Sequence, residues 1–500
     1  MNKHFFRMVA IGLLACSLSI PGFGQSRSSS AERTLPKMSR VLLISIDTLH
    51  ALDLANFVKA HPDSTLARLS SQGVTYTVAS TSKPSNAFPG TLALTTGGSP
   101  ISTGVWYEGS YVRQFSAAGS NCATRGTEVI WNSTIDRDKT LVDGGGIDPA
   151  KLPLDAEKGC TPVYPHDFLR TNTIFEVAHD AHLRTAWIDK HPSYEMLNGP
   201  SGKGLDDYAA FEVSASGATR SLPAAVAYDD LKVNALLHEI DGKDHTGTKD
   251  AGVPSLFGAA LQLVMMAAKN PKGGGYLDAS GTPSALLDSA LLTTDQSLGK
   301  IVAALKQKNL LDSTLIVITA RAGASPMEAS RHRFIPNFIL EEIINHAYPG
   351  ALALAYQDGT LASVWLKDQS KTAAVVQTLT LPENELALDA QNIISGESLK
   401  LKFNDPLTDG RMPDIVIAGN LGAIYFEPGG SFLSEYGGFS EEDTNAALLI
   451  SNPSLSPQVI KTPVTTSQVA PTILKALGLN PSSLQAVVKE HVNLLPGLFD

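Results

Sequence analysis

The sequence predicts an α/β protein in which a mostly parallel central sheet lies between two layers of helices. Short continuous apolar runs, rich in β-branched residues and typical of strands buried on both faces, occupy residues 41–46, 185–188, 315–319, 415–418 and 446–450. Helical patterns at 174–181 and 291–310 precede two of these runs. Strands that alternate with helices form parallel sheets with helices on both faces, which gives a three-layer α/β/α architecture.

Length and composition exclude several classes of protein. The chain has 500 residues, of which 43% are hydrophobic and 18% charged, so it can bury a large core and is not a disordered chain. Its formal net charge is −10 and it has no long cluster of lysine and arginine. Proteins that bind duplex nucleic acid need such a basic surface, and we therefore exclude that partner.

The first 24 residues are predicted to be a signal peptide. Residues 1–7 are basic, residues 8–20 are mainly apolar, and residues 21–24 end in a small-residue cleavage pattern. A lipoprotein signal with attachment at Cys16 is the alternative, because residues 13–16 resemble a lipid-attachment box. No segment supplies the roughly 20 uninterrupted apolar residues that a membrane span requires. We therefore expect an exported protein, periplasmic or secreted.

Two cysteines remain after removal of the signal peptide. They are Cys122 and Cys160, an even pair in a compartment where disulfides persist. A disulfide between them is the prediction, and two buried free thiols are the alternative.

The rest of the chain is predicted to be one large domain with two insertions. Residues 25–38 are rich in serine and arginine and are expected to form a flexible leader ahead of the domain at 39–500. The first insertion lies near 105–163, which is rich in glycine, aspartate and threonine and contains both cysteines. The second lies near 330–410, where short alternating segments indicate an α+β subdomain.

Three charged residues follow predicted strands directly or after a short gap. They are Asp47, Asp189 and Arg321. Because ligands of open α/β sheets bind at the carboxyl ends of the strands, these residues are candidates for a functional site. Asp47 is suited to bind a metal ion there, although a carboxylate in this position is equally suited to cap the next helix.

Several motifs together resemble one known family. Lys83-Pro84-Ser85-Asn86-Ala87-Phe88-Pro89-Gly90 is followed by Thr96-Gly97-Gly98-Ser99-Pro100 and Gly104. Further matching segments are Tyr164-Pro165-His166, Asp189-Lys190-His191-Pro192, 198–202 and Gly437-Gly438-Phe439. With Asp47 at the end of the first strand, this set resembles the alkaline phosphatase superfamily. It is closest to the type I phosphodiesterase/nucleotide pyrophosphatase branch, in a bacterial secreted subgroup.

The resemblance implies an alkaline-phosphatase-like fold and a metal-dependent phosphoric ester hydrolase. In such enzymes two zinc ions stabilise the attacking and leaving oxygens, and a serine or threonine hydroxyl beside a metal is the nucleophile. Asp47 fills the first metal-ligand position, but the nucleophile position is Ala87, which has no side-chain oxygen. Ser85 is a possible substitute nucleophile, and Asn86 is an expected substrate-binding residue.

The other metal-ligand positions are also altered. The strand-end Asp-His pair of the family corresponds to Arg321-Ala322, and the late His-Gly ligand corresponds to Tyr436-Gly437. The Asp-x-x-x-His pair is assigned to Asp241 and His245. Zinc sites need three or four ligands, and the matching positions supply too few for either metal. Zinc or another divalent metal, which the family uses, is therefore expected to bind weakly or not at all.

Arg321 allows two interpretations. Its guanidinium can pair with Asp47, or it can bind a phosphate through two parallel hydrogen bonds. We therefore predict a catalytically impaired homologue that retains a crevice for a small phosphate-containing or anionic ligand. The alternative is an active hydrolase with a rearranged site, which would use one metal or would depend on Ser85 with Asp241 and His245.

Overall fold

The computed structural model describes residues 35–499. Its strands in chain order are β1 (Arg40–Ile46), β2 (Gly73–Tyr76), β3 (Ala79–Ser80), β4 (Gly109–Val112), β5 (Phe115–Ser116), β6 (Thr127–Ile130), β7 (Leu154–Asp155), β8 (Thr161–Pro162), β9 (Thr185–Asp189), β10 (Asp207–Ala210), β11 (Leu256–Leu261), β12 (Thr314–Thr319), β13 (Arg333–Pro336), β14 (Leu352–Asp358), β15 (Leu361–Leu366), β16 (Ala390–Ser395), β17 (Ile415–Gly419), β18 (Ala423–Phe426), β19 (Leu448–Ser451), β20 (Gln458–Ile460) and β21 (Val464–Thr465).

The α-helices surround and connect these strands. In chain order they are α1 (Ala51–Ala60), α2 (Thr65–Ser70), α3 (Ala87–Thr96), α4 (Pro100–Thr103), α5 (Pro165–Phe168), α6 (Ile174–Asp180), α7 (Val213–Ser216), α8 (Leu222–Ile240), α9 (Leu263–Ala268), α10 (Ala285–Gln307), α11 (Ile339–Ala347), α12 (Thr372–Leu379), α13 (Pro382–Leu388), α14 (Gly396–Lys400), α15 (Glu441–Thr444), α16 (Val469–Ala476) and α17 (Gln485–Glu490).

The central sheet has eight strands in the order β10-β9-β11-β1-β12-β19-β2-β20. Strands β10, β9, β11, β1 and β12 are mutually parallel, whereas β19 is antiparallel to both β12 and β2. Four of the predicted apolar runs are strands of this sheet, and both predicted helical patterns form helices, α6 and α10. The mostly parallel three-layer fold is therefore confirmed.

Successive residues of β1 explain how the sheet is buried on both sides. Val41 and Leu43 pack into one apolar cluster, and Leu42 and Ile44 pack into another on the opposite face. Side chains alternate along a strand, so a run without polar residues is stable only where helices cover both faces. Each face of the sheet thus has a core of its own.

The sequence predicts that the run at 415–418 is a strand of the central sheet, and this prediction is wrong. It forms β17, which lies in a separate four-stranded antiparallel sheet of order β14-β15-β17-β16. Ile415 and Ile417 pack into a cluster with the subdomain helices, while Val416 and Ala418 pack against Trp106 and its neighbours. The strand is apolar because both of its faces are covered there too, and this property does not distinguish one sheet from another.

Smaller sheets form inserted subdomains beside the central sheet. Strands β4 to β8 make a two-stranded and a three-stranded sheet within 109–162, and the four-stranded sheet lies within 352–419 with α11 to α14. A disulfide joins Cys122 to Cys160, whose Cα atoms are 5.9 Å apart, as the sequence predicts. The described residues contain no helix long and apolar enough to span a membrane.

The packed part of the chain begins earlier than the sequence suggests. The predicted signal peptide, Cys16 and most of the predicted leader lie outside the described residues. Within that leader, Leu35 and Met38 are buried, and their amide groups donate to the carbonyl oxygens of Leu498 (2.9 Å) and Ala476 (2.8 Å). Residues 35–38 are therefore part of the folded domain, which corrects the predicted boundary.

Candidate functional site

Three charged residues meet at the carboxyl edge of the central sheet. Asp47 follows β1, Asp189 ends β9 and Arg321 lies two residues beyond β12. Arg321 Nη2 donates to Asp47 Oδ2 at 2.8 Å, and Nη1 donates to Asp189 Oδ1 at 3.1 Å and Oδ2 at 3.0 Å. Arg321 is only 1% exposed, so this is a buried ion network. Neighbouring parallel strands end at one edge, which explains why residues so distant in sequence meet.

Arg321 is held from several directions besides its carboxylate partners. Its Nη1 lies 3.2 Å from Thr91 Oγ1, and its guanidinium carbon is 4.9 Å from the centre of the Tyr194 ring. Its amide donates to Ser45 Oγ at 3.1 Å. Helix α3 approaches its backbone at Gly90, where an added Cβ would lie 1.8 Å from the Arg321 carbonyl oxygen. These contacts fix the guanidinium in place.

The electrostatics of the network favour the charged forms of Asp47 and Arg321. Burial alone would raise the pKa of the Asp47 carboxyl, but the positive charges of Arg321 and Lys190 hold that pKa below its ordinary value. Burial alone would lower the pKa of Arg321, but Asp189 and Asp47 raise it above its ordinary value. The guanidinium therefore stays charged and binds the two carboxylates. Of the two interpretations of Arg321, the structure has the pairing with Asp47.

A second buried ion pair lies beside the first. Gln262, the residue directly after β11, donates from Nε2 to Asp47 Oδ2 at 3.0 Å, and its Oε1 contacts the ammonium of Lys232. Lys232 also donates to the Ala260 carbonyl at 2.9 Å and lies 3.8 Å from Asp229. Burial lowers the pKa of Lys232 to about 8. Gln262 thus links the two ion pairs through its amide group.

The segment 85–87, where the resemblance leads us to expect the nucleophile, is tightly buried. Ala87 is the first residue of α3, and Asn86 caps that helix by accepting a hydrogen bond from the Phe88 amide at 3.2 Å. Asn86 Nδ2 is buried and has no hydrogen-bond partner among the residues that the structure describes. The hydroxyl of Ser85 donates to the backbone carbonyl of Asp443. That hydroxyl is therefore already used, which argues against Ser85 as the substitute nucleophile.

The structure does not bring Asp241 and His245 to Asp47. Asp241 caps the carboxyl end of α8, is half-exposed and pairs with Lys308 at 2.9 Å. His245 Nδ1 lies 2.5 Å from Oδ1 of Asp207, the first residue of β10. Both residues lie at the amino edge of the sheet, because α8 returns there before the next parallel strand begins. The predicted metal set of Asp47, Asp241 and His245 is thus corrected.

Strand β11, which the sequence does not predict, ends at the carboxyl edge where an Asp-x-x-x-His pair would lie close to Asp47. An aspartate and a histidine at that spacing would stand at Gln262 and Met266. The short apolar run at 256–261 was the available signal, but Gly258 and the two alanines after it have low β propensity. Gly258 fits because an added Cβ would lie 1.9 Å from the Leu43 carbonyl oxygen.

A cleft of about 440 Å³ opens over this edge of the sheet. Its charged lining residues are Glu108, Lys190, Arg220, Lys269 and Lys272, and Phe432 and Tyr436 supply aromatic surface. Lys269 lies 4.5 Å from the centre of the Tyr436 ring and pairs with Glu435. Cations outnumber carboxylates in this lining, so the cleft favours an anionic ligand.

Lys190 is the buried cation of this cleft and, like the exposed Arg220 and Lys272, it has no ion-pair partner within residues 35–499. It is 5% exposed, and within residues 35–499 no carboxylate oxygen lies within 4.0 Å of its ammonium group. Burial and the nearby Arg321 lower its pKa. A buried ammonium group without a partner is costly, and an anion in the cleft would relieve that cost.

The residues present do not fit a two-metal site. Within the described part of the chain, no group of three or more histidine, cysteine, aspartate or glutamate side chains is arranged to hold a metal ion. Asp47 is paired with Arg321, and Ala87 and Ala322 have no ligating side-chain atom. Zinc needs three or four ligands, which these side chains do not provide.

Comparison with known proteins gives a family and a set of similar folds. The family model for type I phosphodiesterase / nucleotide pyrophosphatase matches residues 41–431. No curated protein matches the sequence. Murine ectonucleotide pyrophosphatase / phosphodiesterase 5, solved as an inactive Thr-to-Ala variant in complex with AMP, is 14% identical with a TM-score of 0.57, over 88% of this chain and 96% of that chain.

Two further solved structures have the same fold. The alkaline phosphatase PafA is 12% identical with a TM-score of 0.61, over 93% of this chain and 99% of that chain. Phosphonoacetate hydrolase from Sinorhizobium meliloti 1021, in complex with phosphonoformate, is 17% identical with a TM-score of 0.55, over 89% of this chain and 96% of that chain. Identities this low establish the fold alone.

Proposed function

This chain belongs to the type I phosphodiesterase / nucleotide pyrophosphatase family, and we propose that it binds a small phosphate-containing or other anionic ligand without hydrolysing it. Its family consists of phosphodiesterase- and phosphatase-type hydrolases that depend on metal, usually zinc. The observation that carries the proposal is the position of Arg321 between Asp47 and Asp189. A guanidinium there supplies positive charge that a metal ion would otherwise supply.

The charges around Arg321 support a site that is complete without metal. Three carboxylates, those of Asp47, Asp189 and Asp229, are buried near the cations Arg321, Lys190 and Lys232. A metal ion at Asp47 would have to displace the guanidinium that this carboxylate binds. Breaking a buried ion pair costs about 3–5 kcal/mol, because the remaining charge is left uncompensated.

The nucleophile position also supports the loss of hydrolysis. Ala87 offers no oxygen, and the hydroxyl of Ser85 donates to a backbone carbonyl. Hydrolysis by the family's route needs an activated hydroxyl as well as metal ions that stabilise the developing charge. Neither component is provided by the side chains at these positions.

Ligand binding is supported by the cleft and by one solved relative. The ammonium of Lys190 lines the cleft and has no carboxylate partner within residues 35–499, so it is a donor suited to an anion. The side chain of Asn86 is fully buried and does not line this cleft. Arg321 is not given this role, because both of its terminal nitrogens already contact carboxylates. In murine ectonucleotide pyrophosphatase / phosphodiesterase 5, the inactive Thr-to-Ala variant is in complex with AMP, so a lost hydroxyl and a bound ligand coexist in that protein.

Metal analysis and an activity assay on the purified protein test this proposal together. We expect less than stoichiometric zinc and no hydrolysis of bis(p-nitrophenyl) phosphate with added Zn²⁺ or Mn²⁺. Stoichiometric zinc with turnover would instead establish the active hydrolase with a rearranged site.

Calorimetry with AMP and with inorganic phosphate, in the presence of a chelator, tests the binding part. We expect binding that Lys190→Gln weakens by about ten-fold or more, since a charge-assisted hydrogen bond is lost. The exposed Lys306→Gln is the matched control and should bind as the wild type does. Equal affinity of the Lys190 variant would show that the anion does not contact this ammonium group.

We also propose that the protein is exported and is periplasmic or secreted. The disulfide between Cys122 and Cys160 supports this, since disulfides persist in oxidising compartments. Cell fractionation with intact-mass measurement tests it: cleavage after residue 24 supports the proposal, a lipid on Cys16 identifies the lipoprotein alternative, and a cytoplasmic chain contradicts both.

A further inference from the structure

A second cleft, of about 780 Å³, lies between the central-sheet core and the inserted four-stranded sheet. Strand β16, which pairs with β17 alone, forms one wall through residues that include Gln391 and Asn392. Lys83, from the segment that leads into α3, lines the opposite side, and Lys402 follows α14. None of these residues lines the first cleft, the one at Lys190.

The second cleft has a positive balance of charge. Lys83 and Lys402 are exposed, and neither has a carboxylate oxygen within 4.0 Å in the described part of the chain. The carboxylate of the lining, Asp443, is buried. Its Oδ1 accepts hydrogen bonds from Ser325 (2.8 Å) and Thr360 (3.1 Å), and burial raises its pKa. An anion in this cleft would therefore meet two lysines and a carboxylate whose oxygens are already hydrogen-bonded.

Aromatic rings form part of the floor. The rings of Phe403 and Phe439 have centroids 6.0 Å apart and planes inclined by 25°. Trp106 packs edge-on against Phe403 at 4.8 Å, which holds that ring in place. Phe439 is half-buried, so part of its ring surface faces the cleft. Such a surface packs well against the C–H face of a sugar ring.

The wall formed by β16 is rich in amide groups. The side chains of Gln391 and Asn392 are exposed, and neither makes a hydrogen bond to another residue in the part of the chain that is described. An amide side chain offers both donors and an acceptor, which match neighbouring hydroxyl groups. A ligand with several hydroxyls would find complementary partners along this wall.

From this combination we propose that the second cleft binds an acidic saccharide about two sugar rings long. The amides would bond its hydroxyls, Phe439 and Phe403 would pack against a ring face, and Lys83 and Lys402 would bind its acidic groups. The volume lies in the range of about 300–1,000 Å³ typical of small-molecule sites. Sulfate and carboxylate groups share the required charge, and the test separates them.

Titration calorimetry with three disaccharides tests this proposal on the purified protein. The probes are a sulfated heparin-derived disaccharide, digalacturonate and neutral cellobiose. We expect one or both acidic probes to bind at least ten-fold more tightly than cellobiose, and their ratio identifies the preferred acidic group. Failure of both acidic probes to bind at millimolar concentration, or equal binding of cellobiose, would overturn the proposal.

Variants locate the binding in this cleft. Lys83→Gln and Lys402→Gln are exposed substitutions and should each weaken acidic-probe binding about three- to ten-fold, while Lys371→Gln, an exposed lysine elsewhere in the subdomain, should not. Phe439→Ala should weaken all saccharide binding. Unchanged affinity in the Lys83/Lys402 double variant would contradict the assignment. AMP binding by that variant, measured in parallel, reports separately on the cleft at Lys190.

Discussion

The two edges of the central sheet each contain an arginine between two carboxylates, but in very different surroundings. At the carboxyl edge Arg321 binds Asp47 and Asp189 and is 1% exposed. At the amino edge Arg184 contacts Asp207 at 3.5 Å and pairs with Glu239, and its side chain is 17% exposed. The comparison shows that residue types alone do not identify a functional centre. The two clusters differ in the edge of the sheet at which they lie and in the exposure of the arginine side chain.

The two clusters should differ most in the free energy of unfolding that is lost when the arginine of each is replaced. Arg321→Met leaves two buried carboxylates without their cation, so we expect the free energy of unfolding to fall by about 3–5 kcal/mol. Arg184→Met should cost less, because burial raises the pKa of Glu239 to about 8 and this carboxyl can take up a proton when its partner is lost. Urea unfolding of both variants measures this difference. A larger loss for Arg184→Met would contradict the ranking of the two edges.

Metal ligands introduced at the carboxyl edge should allow zinc to bind there, which we do not expect of the wild-type residues. Arg321→Asp with Ala322→His places a carboxylate and an imidazole beside Asp47, which together give the three ligands that zinc needs. We expect Zn²⁺ at about 100 times its Kd to stabilise this variant by about 2.7 kcal/mol, seen as a rise in Tm. The wild-type protein should show no such rise. A zinc-dependent rise in wild-type Tm would mean that its own residues hold the metal.

The pH dependence of stability should have opposite signs at the two edges. Burial raises the pKa of Glu239 to about 8, so between pH 4.5 and 8 the folded state binds more protons than the unfolded state and stability falls as pH rises. Burial lowers the pKa of Lys232 to about 8, so stability rises between pH 8 and 10.5.

Two substitutions isolate these slopes. Glu239→Gln should remove the fall at the amino edge and stabilise the protein at pH 8 by about 1–2 kcal/mol. Lys232→Met should remove the rise at the carboxyl edge. Denaturant unfolding across pH 5 to 10 measures both, and unchanged profiles in either variant would show that its side chain does not set the slope.

The smallest effect is expected at His245. The hydrogen bond that this imidazole donates to the Asp207 carboxylate raises the pKa of the imidazole. Its contribution to stability is therefore complete below pH 6.5 and is lost as pH rises through the higher folded-state value. His245→Asn should therefore lower stability by about 1 kcal/mol at pH 5.5 and have little effect at pH 9. Zinc content measured on the same variant should equal that of the wild type. A loss of bound zinc would restore His245 as a metal ligand.

The sequence predicts the central strands well where apolar runs are long and β-branched. Strands β1, β9 and β12 are of this kind, and from their ends the positions of Asp47, Asp189 and Arg321 follow. Strand β11 is not predicted, because Gly258 and the alanines beside it have low β propensity. Glycine is needed at position 258 because the neighbouring backbone leaves no room for a side chain. The contacts of Gln262 with Asp47 and Lys232 are therefore not predicted either.

Other parts of the site depend on the path of the chain in three dimensions. The spacing of Asp241 and His245 fits a metal pair, but α8 delivers both residues to the amino edge. The hydrogen bond of Ser85 joins residues 358 positions apart, which no local pattern reveals. Contacts of this kind depend on the path of the chain and cannot be predicted from local sequence patterns.

The close approach at Gly90 constrains the position of helix α3. The atoms that an added Cβ would meet there are all backbone atoms of residue 321, so the constraint is independent of the side chain at that position. Helix α3 would keep its place whether an arginine or an acidic residue followed β12. A substitution at position 321 can therefore change the charge beside Asp47 while α3 stays where it is.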